Sequence, residues 1–169
     1  MIIKFKGLIN LSKEFKKIAS FTINHNTLEK GMYISRIDDD IITYDLRMKK
    51  PNNEYNDYLD NNALHTFEHL FATYVRNTEY SDKIIYVGPM GCRTGFYFIV
   101  RDSLPHNIAI KLVKETMDFI LDFEGEIPGS KKEECGNYLA HSLEGAKEIS
   151  KEMKAVLSSW TEADLLYPE

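Results

Sequence analysis

Residues 63–76 read ALHTFEHLFATYVR, and within them Leu64, Phe67, Phe71, Tyr74 and Val75 recur at intervals of three and four. On an α-helix residues so spaced share a face, so the run is predicted to be an amphipathic helix with that face in the core. Asp60 to Asn62 supplies its start signal. The same helix carries His65, Glu68 and His69, spaced so that two imidazoles and a carboxylate can reach one point. Neutral imidazole suits zinc, iron and other first-row ions. Two helical histidines then need a third protein ligand and leave one position open for water or substrate.

Working outward, GMYISRI and IITYDLR are β-rich runs on either side of Asp38, Asp39 and Asp40, which predicts a hairpin with an acidic loop. The polar MKKPNNEYNDYLDNN that follows reads as a loop leading into the helix. Beyond the helix, KIIYVG and GFYFIV predict two more strands separated by a PMGCRT turn. SLPHNIAIKLVKETMDFILDF predicts a second amphipathic helix, with Ser103 as its cap, Pro105 in its first turn and a stripe of Ile108, Leu112, Phe119, Ile120 and Phe123. EIPGS is a break, and after Ser142 the run LEGAKEISKEMKAVL is a third helix that tolerates Gly145. At least four strands and three to four helices, not strictly alternating, imply an α+β fold: one domain with helices layered on a mostly antiparallel sheet. Residues 1–19 are expected to be an N-terminal extension of unclear role, and residues 20–169 the folded domain.

The formal net charge is -5, and no block of like charges exceeds Asp38 to Asp40, so the chain is not expected to bind nucleic acid. No apolar stretch is long enough to cross a bilayer. The opening MIIKFKGLINLSKEFKK is interrupted by Lys4, Lys6, Ser12 and Lys13 and is followed by no small-residue cleavage site, so a cytoplasmic location without membrane association is expected. There the two cysteines are expected to be thiols with separate tasks and not a disulfide.

Cys135, in EECGNYLAH, precedes a polar turn and is a candidate third ligand, since thiolate binds zinc and iron strongly. His25, His106 and His141 compete with it. Cys92 sits in Gly88-Pro89-Met90-Gly91-Cys92-Arg93-Thr94-Gly95, where three glycines allow close backbone approach and Arg93 favours the thiolate.

HTFEHLFATYVR, GPMGCRTGFYF and ECGNYLAHSLEGAKE together resemble, in order and separation, the signature segments of the S-ribosylhomocysteine lyase (LuxS, autoinducer-2 production protein) family. SFTINHN and YDLRMKKPN extend the resemblance to roughly Ser20 to Leu157. It implies one divalent ion per subunit, Fe2+ or Zn2+, held by His65, His69 and Cys135. Acid–base roles for Glu68 and Cys92 are implied too, with substrate contacts from Ser20, His25 and Arg47. The implied reaction cleaves the thioether of S-ribosylhomocysteine by metal-assisted carbonyl migration and β-elimination. Its products are homocysteine and 4,5-dihydroxypentane-2,3-dione, the precursor of autoinducer-2, which links the chain to the methyl cycle and quorum sensing. A homodimer with active sites built from both chains is implied as well. At Tyr86-Val87-Gly88 the sequence departs from the Asp-Ile-Ser expected of many relatives.

Two other functions share these residues. HTFEH also fits the HxxEH motif of zinc peptidases, with Glu144 or Glu148 as the third ligand, although that leaves both cysteines unexplained. The other is a non-catalytic, metal-binding homologue.

Overall fold

The Asn61–Arg76 run is helical throughout and forms α1. Asp60 caps it, its carboxylate accepting from Asn62 N at 2.9 Å and Ala63 N at 3.0 Å, so two of the amide protons left unpaired at a helix start are satisfied. The computed structural model describes residues 17–168, so most of the expected extension lies outside the described residues.

Four strands form one antiparallel sheet: β1 (Gly31–Asp38), β2 (Ile41–Arg47), β3 (Ile84–Pro89) and β4 (Gly95–Arg101), in the order β1-β2-β4-β3. β1 and β2 make the expected acidic hairpin, with Asp39 in the left-handed region at φ 51°. α1 carries the chain from β2 to the far edge strand β3, and the turn at residues 90–94 returns β4 into the centre.

Side chains alternate along a strand, and Tyr44 opposite Phe98 and Leu46 opposite Phe96 point to the helical side. α1 seats on them: the Phe67 ring lies 5.0 Å from that of Phe96, and Phe71 lies 5.3 Å from Phe98. α2 (His106–Asp122) and α3 (Leu143–Val156) pack beside α1 and complete the layer. The α+β expectation therefore holds.

α2 departs from the sequence expectation at its start and along its face. Pro105, without a side-chain cap, precedes the first turn, while exposed Ser103 accepts from Lys83 Nζ at 3.4 Å. The buried face runs through Ala109, Leu112, Val113, Thr116, Met117 and Ile120, whereas Ile108, Phe119 and Phe123 are half-buried. These last pack at the rim, with Phe119 5.2 Å from Tyr74.

α3 begins at Ser142, whose hydroxyl accepts from Gly145 N at 3.1 Å. Gly145 is there because α3 and α1 touch: a Cβ at this position would stand 2.6 Å from Ala63 Cβ. Gly145→Ala is therefore expected to lower stability by about 1–2 kcal/mol in urea unfolding, the overpacking outweighing the helix propensity gained. A stabilised variant would show that the two helices can separate there.

The last residues, for which the sequence carries no element signal, fold back along β1. Ile34 N donates to Leu165 O at 2.8 Å and Trp160 Nε1 donates to Met32 O at 3.0 Å. This tail reaches the face of the sheet opposite the helices.

Candidate metal centre and active site

The donor atoms of His65, His69, Cys135 and His141 lie within 4.8 Å of one another. The two α1 histidines sit one turn apart, and their rings meet edge to face at 4.6 Å. Each is oriented from behind. His65 Nδ1–H donates to Ala140 O at 2.9 Å, and His69 Nδ1–H donates to Pro128 O at 2.8 Å. Because a carbonyl can only accept, both protons are fixed on Nδ1, and Nε2 of each ring is left with the lone pair a metal requires. Cys135 Sγ lies 3.4 Å from His65 Nε2 and receives Asn137 N–H at the same distance. Two imidazole lone pairs and one sulfur at a common point fit a zinc- or iron-type ion.

Pro128 and Ala140 come from the chain between α2 and α3. At Gly129 φ is +74° and a Cβ would lie 3.1 Å from His69 Nδ1, so this segment passes close behind the ring only because the residue is glycine. Among the other histidines weighed as third ligands, His25 lies elsewhere and His106 bonds Tyr44 at 2.6 Å, while His141 does join the cluster. Burial, and then the neighbouring His65 and His69, hold His141 below the ordinary imidazole range. Glu144 and Glu148, the glutamates of the peptidase alternative, are not in the cluster and line a different depression.

Ser20, His25, Arg47 and Cys92 line a second place, a cavity of about 470 Å³ on the sheet face away from the helices. The lining contains none of the metal-cluster residues and not Glu68. Arg47 is 3% exposed and makes an ion pair with Asp45, 1% exposed, at 2.6 Å. Its Nη1 donates to Thr94 Oγ1 at 2.5 Å, and Cys92 Sγ lies 3.0 Å from the same oxygen. Burial opposes the guanidinium charge, but Asp45, with lesser help from Cys92 and Tyr167, outweighs it and moves Arg47 upward.

Arg93, expected to be the cation serving Cys92, turns away: its Nη1 donates to Leu59 O at 3.4 Å. It also takes the left-handed position of the turn, φ 57°, while Gly91 has open space around it. Gly95 does permit close approach, since a Cβ there would lie 2.1 Å from Leu46 O. The Tyr86 ring covers Gly88, where a Cβ would meet it at 2.3 Å, so these two departures from the expected Asp-Ile-Ser are coupled.

A model of the S-ribosylhomocysteinase (LuxS) family matches residues 18–164. The chain belongs to that family. The S-ribosylhomocysteine lyase of Phocaeicola vulgatus is 48% identical over 159 residues, covering 90% of this chain and 98% of the relative. That of Porphyromonas gingivalis is 46% identical over 160 residues, covering 91% and 99%. That of Clostridium acetobutylicum is 45% identical over 159 residues, covering 91% and 99%. Membership in the LuxS family implies a metal, and the donor set accommodates one.

Asp45, Thr94 and Tyr167 belong to the surroundings of this candidate site, and sequence reasoning missed them. Asp45 had a signal, because residues two apart on a strand share a face and Arg47 was already a candidate. Tyr167 had none. Its hydroxyl donates to Asp45 Oδ2 at 2.8 Å, and burial, then Asp45, raises its phenol far above the ordinary range. Tyr167→Phe leaves that oxygen one donor short, and stability is expected to fall by about 1–3 kcal/mol in denaturant unfolding. An unchanged midpoint would mean the tail does not brace the pair.

Proposed function

We propose that the chain is a metal-dependent S-ribosylhomocysteine lyase that releases homocysteine and 4,5-dihydroxypentane-2,3-dione. The observation that carries this is the cluster of His65, His69 and Cys135 with both Nδ1 protons held on carbonyls, in a chain of the LuxS family. The HxxEH peptidase alternative is not favoured, for neither Glu144 nor Glu148 is in the cluster.

Cleaving an unactivated thioether requires negative charge on the carbon next to the one bearing sulfur. A bound divalent ion supplies Lewis acidity toward the sugar's carbonyl and hydroxyl oxygens, which acidifies neighbouring C–H groups. Glu68, between the two histidines on α1, takes and returns protons on the metal side. Cys92 does so from the cavity side, its sulfur facing the Thr94 hydroxyl that Arg47 positions. His25 Nδ1–H is held by Ile23 O at 3.0 Å, leaving Nε2 to accept from substrate, and Ser20 and Arg47 add polar contacts.

The substrate must meet Glu68 and Cys92 together, and the Cys92 cavity does not include Glu68. A homodimer resolves this by placing one copy's cavity against the other's metal centre. Support comes from the open sheet face, where Tyr86 is 49% exposed beside Ile99, and from Phe21, 69% exposed at the cavity. The lyase domain spans residues 20–169, works in the cytoplasm and uses Fe2+ or Zn2+. No helix among the described residues is long and apolar enough to cross a membrane.

The test is anaerobic incubation of purified protein with S-ribosylhomocysteine and a thiol reagent. Homocysteine is expected to appear, to stop on chelation, and to return when Fe2+ or Zn2+ is added. Activity lost in air identifies iron. Thiol release that survives complete removal of metal would contradict the function.

A further inference from the structure

The metal cluster contains a fourth side chain, His141, and its hydrogen bonding sets it apart from the two α1 histidines. Thr66, next to His65 on α1, is fully buried. Its Oγ1 lies 2.8 Å from Ser142 N and 3.1 Å from His141 Nδ1. A backbone N–H can only donate, so Thr66 accepts from Ser142. The hydroxyl proton of Thr66 then has one acceptor among its partners, His141 Nδ1. Leaving a buried hydroxyl proton unpaired costs about 1–3 kcal/mol, which places the proton of Thr66 on that bond and leaves Nδ1 bare. A neutral imidazole with a bare Nδ1 carries its own proton on Nε2.

The tautomers are thus opposite. His65 and His69 face carbonyls through Nδ1 and present a lone pair on Nε2, while His141 faces a hydroxyl and presents an Nε2–H. A protonated nitrogen cannot coordinate. The His141 ring stacks on His65 with centroids 4.2 Å apart and planes 17° apart, and packs against His69 at 5.0 Å. Its Nε2 is buried and, among the described residues, has no hydrogen-bond partner, Cys135 Sγ included.

Resting on the metal centre proposed above, we propose that His141 is not a metal ligand but a hydrogen-bond donor to an oxygen of the bound substrate, with Thr66 the positioning residue that sets its tautomer. Among the described residues none accepts from this donor. An oxygen carrying developing negative charge beside the metal suits a neutral N–H, which stabilises the charge without competing for the ion. The substrate class is accordingly one that brings a carbonyl or hydroxyl oxygen to the metal's open position.

Nitrogen-15 NMR of the zinc-loaded protein reads the tautomer directly. His141 is expected to show a proton on Nε2 and a bare Nδ1, while His65 and His69 show the reverse pattern with metal-shifted Nε2. Thr66→Ser should preserve the His141 pattern and Thr66→Val should lose it. In His141→Phe the zinc affinity is expected to stay within about 3-fold of wild type while kcat falls by about 10²-fold, the scale of losing one oxyanion donor. His141→Gln, which retains an N–H, should recover part of that loss. A metal-shifted His141 Nε2, or zinc affinity in both His141 variants lowered by more than about 10-fold, would make it a ligand and overturn the proposal. Unchanged kcat in His141→Phe would overturn it as well. If wild-type protein failed to bind zinc at all, the metal centre itself would fall, a result distinguishable from either.

Discussion

Cys92→Ala is expected to keep its full complement of metal and to lose turnover by about 10²–10⁴-fold, the range for removing a general acid–base group. Cys135→Ala is expected to do the reverse, losing metal first and activity as a consequence. The difference follows from placement. Cys135 Sγ lies at the meeting point of the imidazoles, whereas Cys92 lies in the cavity on the other face of the sheet, bonded to Thr94. Removing a ligand sulfur should weaken metal binding by more than about 10²-fold, beyond the 10–100-fold typical of losing an outer partner. It should also reduce the stabilisation that metal gives the folded chain. Elemental analysis beside the thiol-release assay reads both variants. Full metal in Cys135→Ala, or wild-type rates in Cys92→Ala, would each remove the role assigned to that residue.

Glu68→Gln is the second large effect, with metal content near wild type and turnover reduced by about 10²–10⁴-fold. The amide keeps the size and polarity of the side chain but cannot take a proton at neutral pH. The cluster is expected to survive the change, because His65 and His69 are oriented by the carbonyls of Ala140 and Pro128. A metal-depleted Glu68→Gln would show that the carboxylate supports the centre and does not serve the chemistry.

How much of this was legible in the sequence depended on how local each signal was. α1 was readable because one helical period set both its core face and its ligand spacing, and Asp60 marked the start. The four strands were readable from their β-branched and aromatic alternation. α2 was misjudged along its face because its buried side is broad, and half-buried Phe119 and Phe123 look like core in composition. Cys135 could be nominated but not chosen over His141 from spacing, and the structure brings both to the centre. The C-terminal tail carried no periodic signal. Its bonds join residues 128 positions apart, as for Trp160 and Met32, or 122 apart, as for Tyr167 and Asp45. Such contacts follow from the tertiary fold and leave no mark in a local window.

The partner of Cys92 changed for a similar reason. Arg93 is adjacent in sequence, but its backbone occupies the left-handed turn position and its side chain is committed to Leu59 O. Arg47, from the neighbouring strand, reaches the sulfur's side through Thr94. Pairing of β2 with β4, which sets Arg47 opposite Gly95, is what brings this cation to the turn.

In the proposed homodimer one working site takes its metal and Glu68 from one copy of the chain and Cys92 from the other. Co-expression of Glu68→Gln with Cys92→Ala, each tagged so that mixed dimers can be purified, tests it directly. In a mixed dimer one site then has both lesions and the other has neither. Homocysteine release is expected to return in the mixed dimer although each variant alone is inactive. A mixed dimer as inactive as its parents would rule out the shared site, for it would mean that Glu68 and Cys92 act within a single chain.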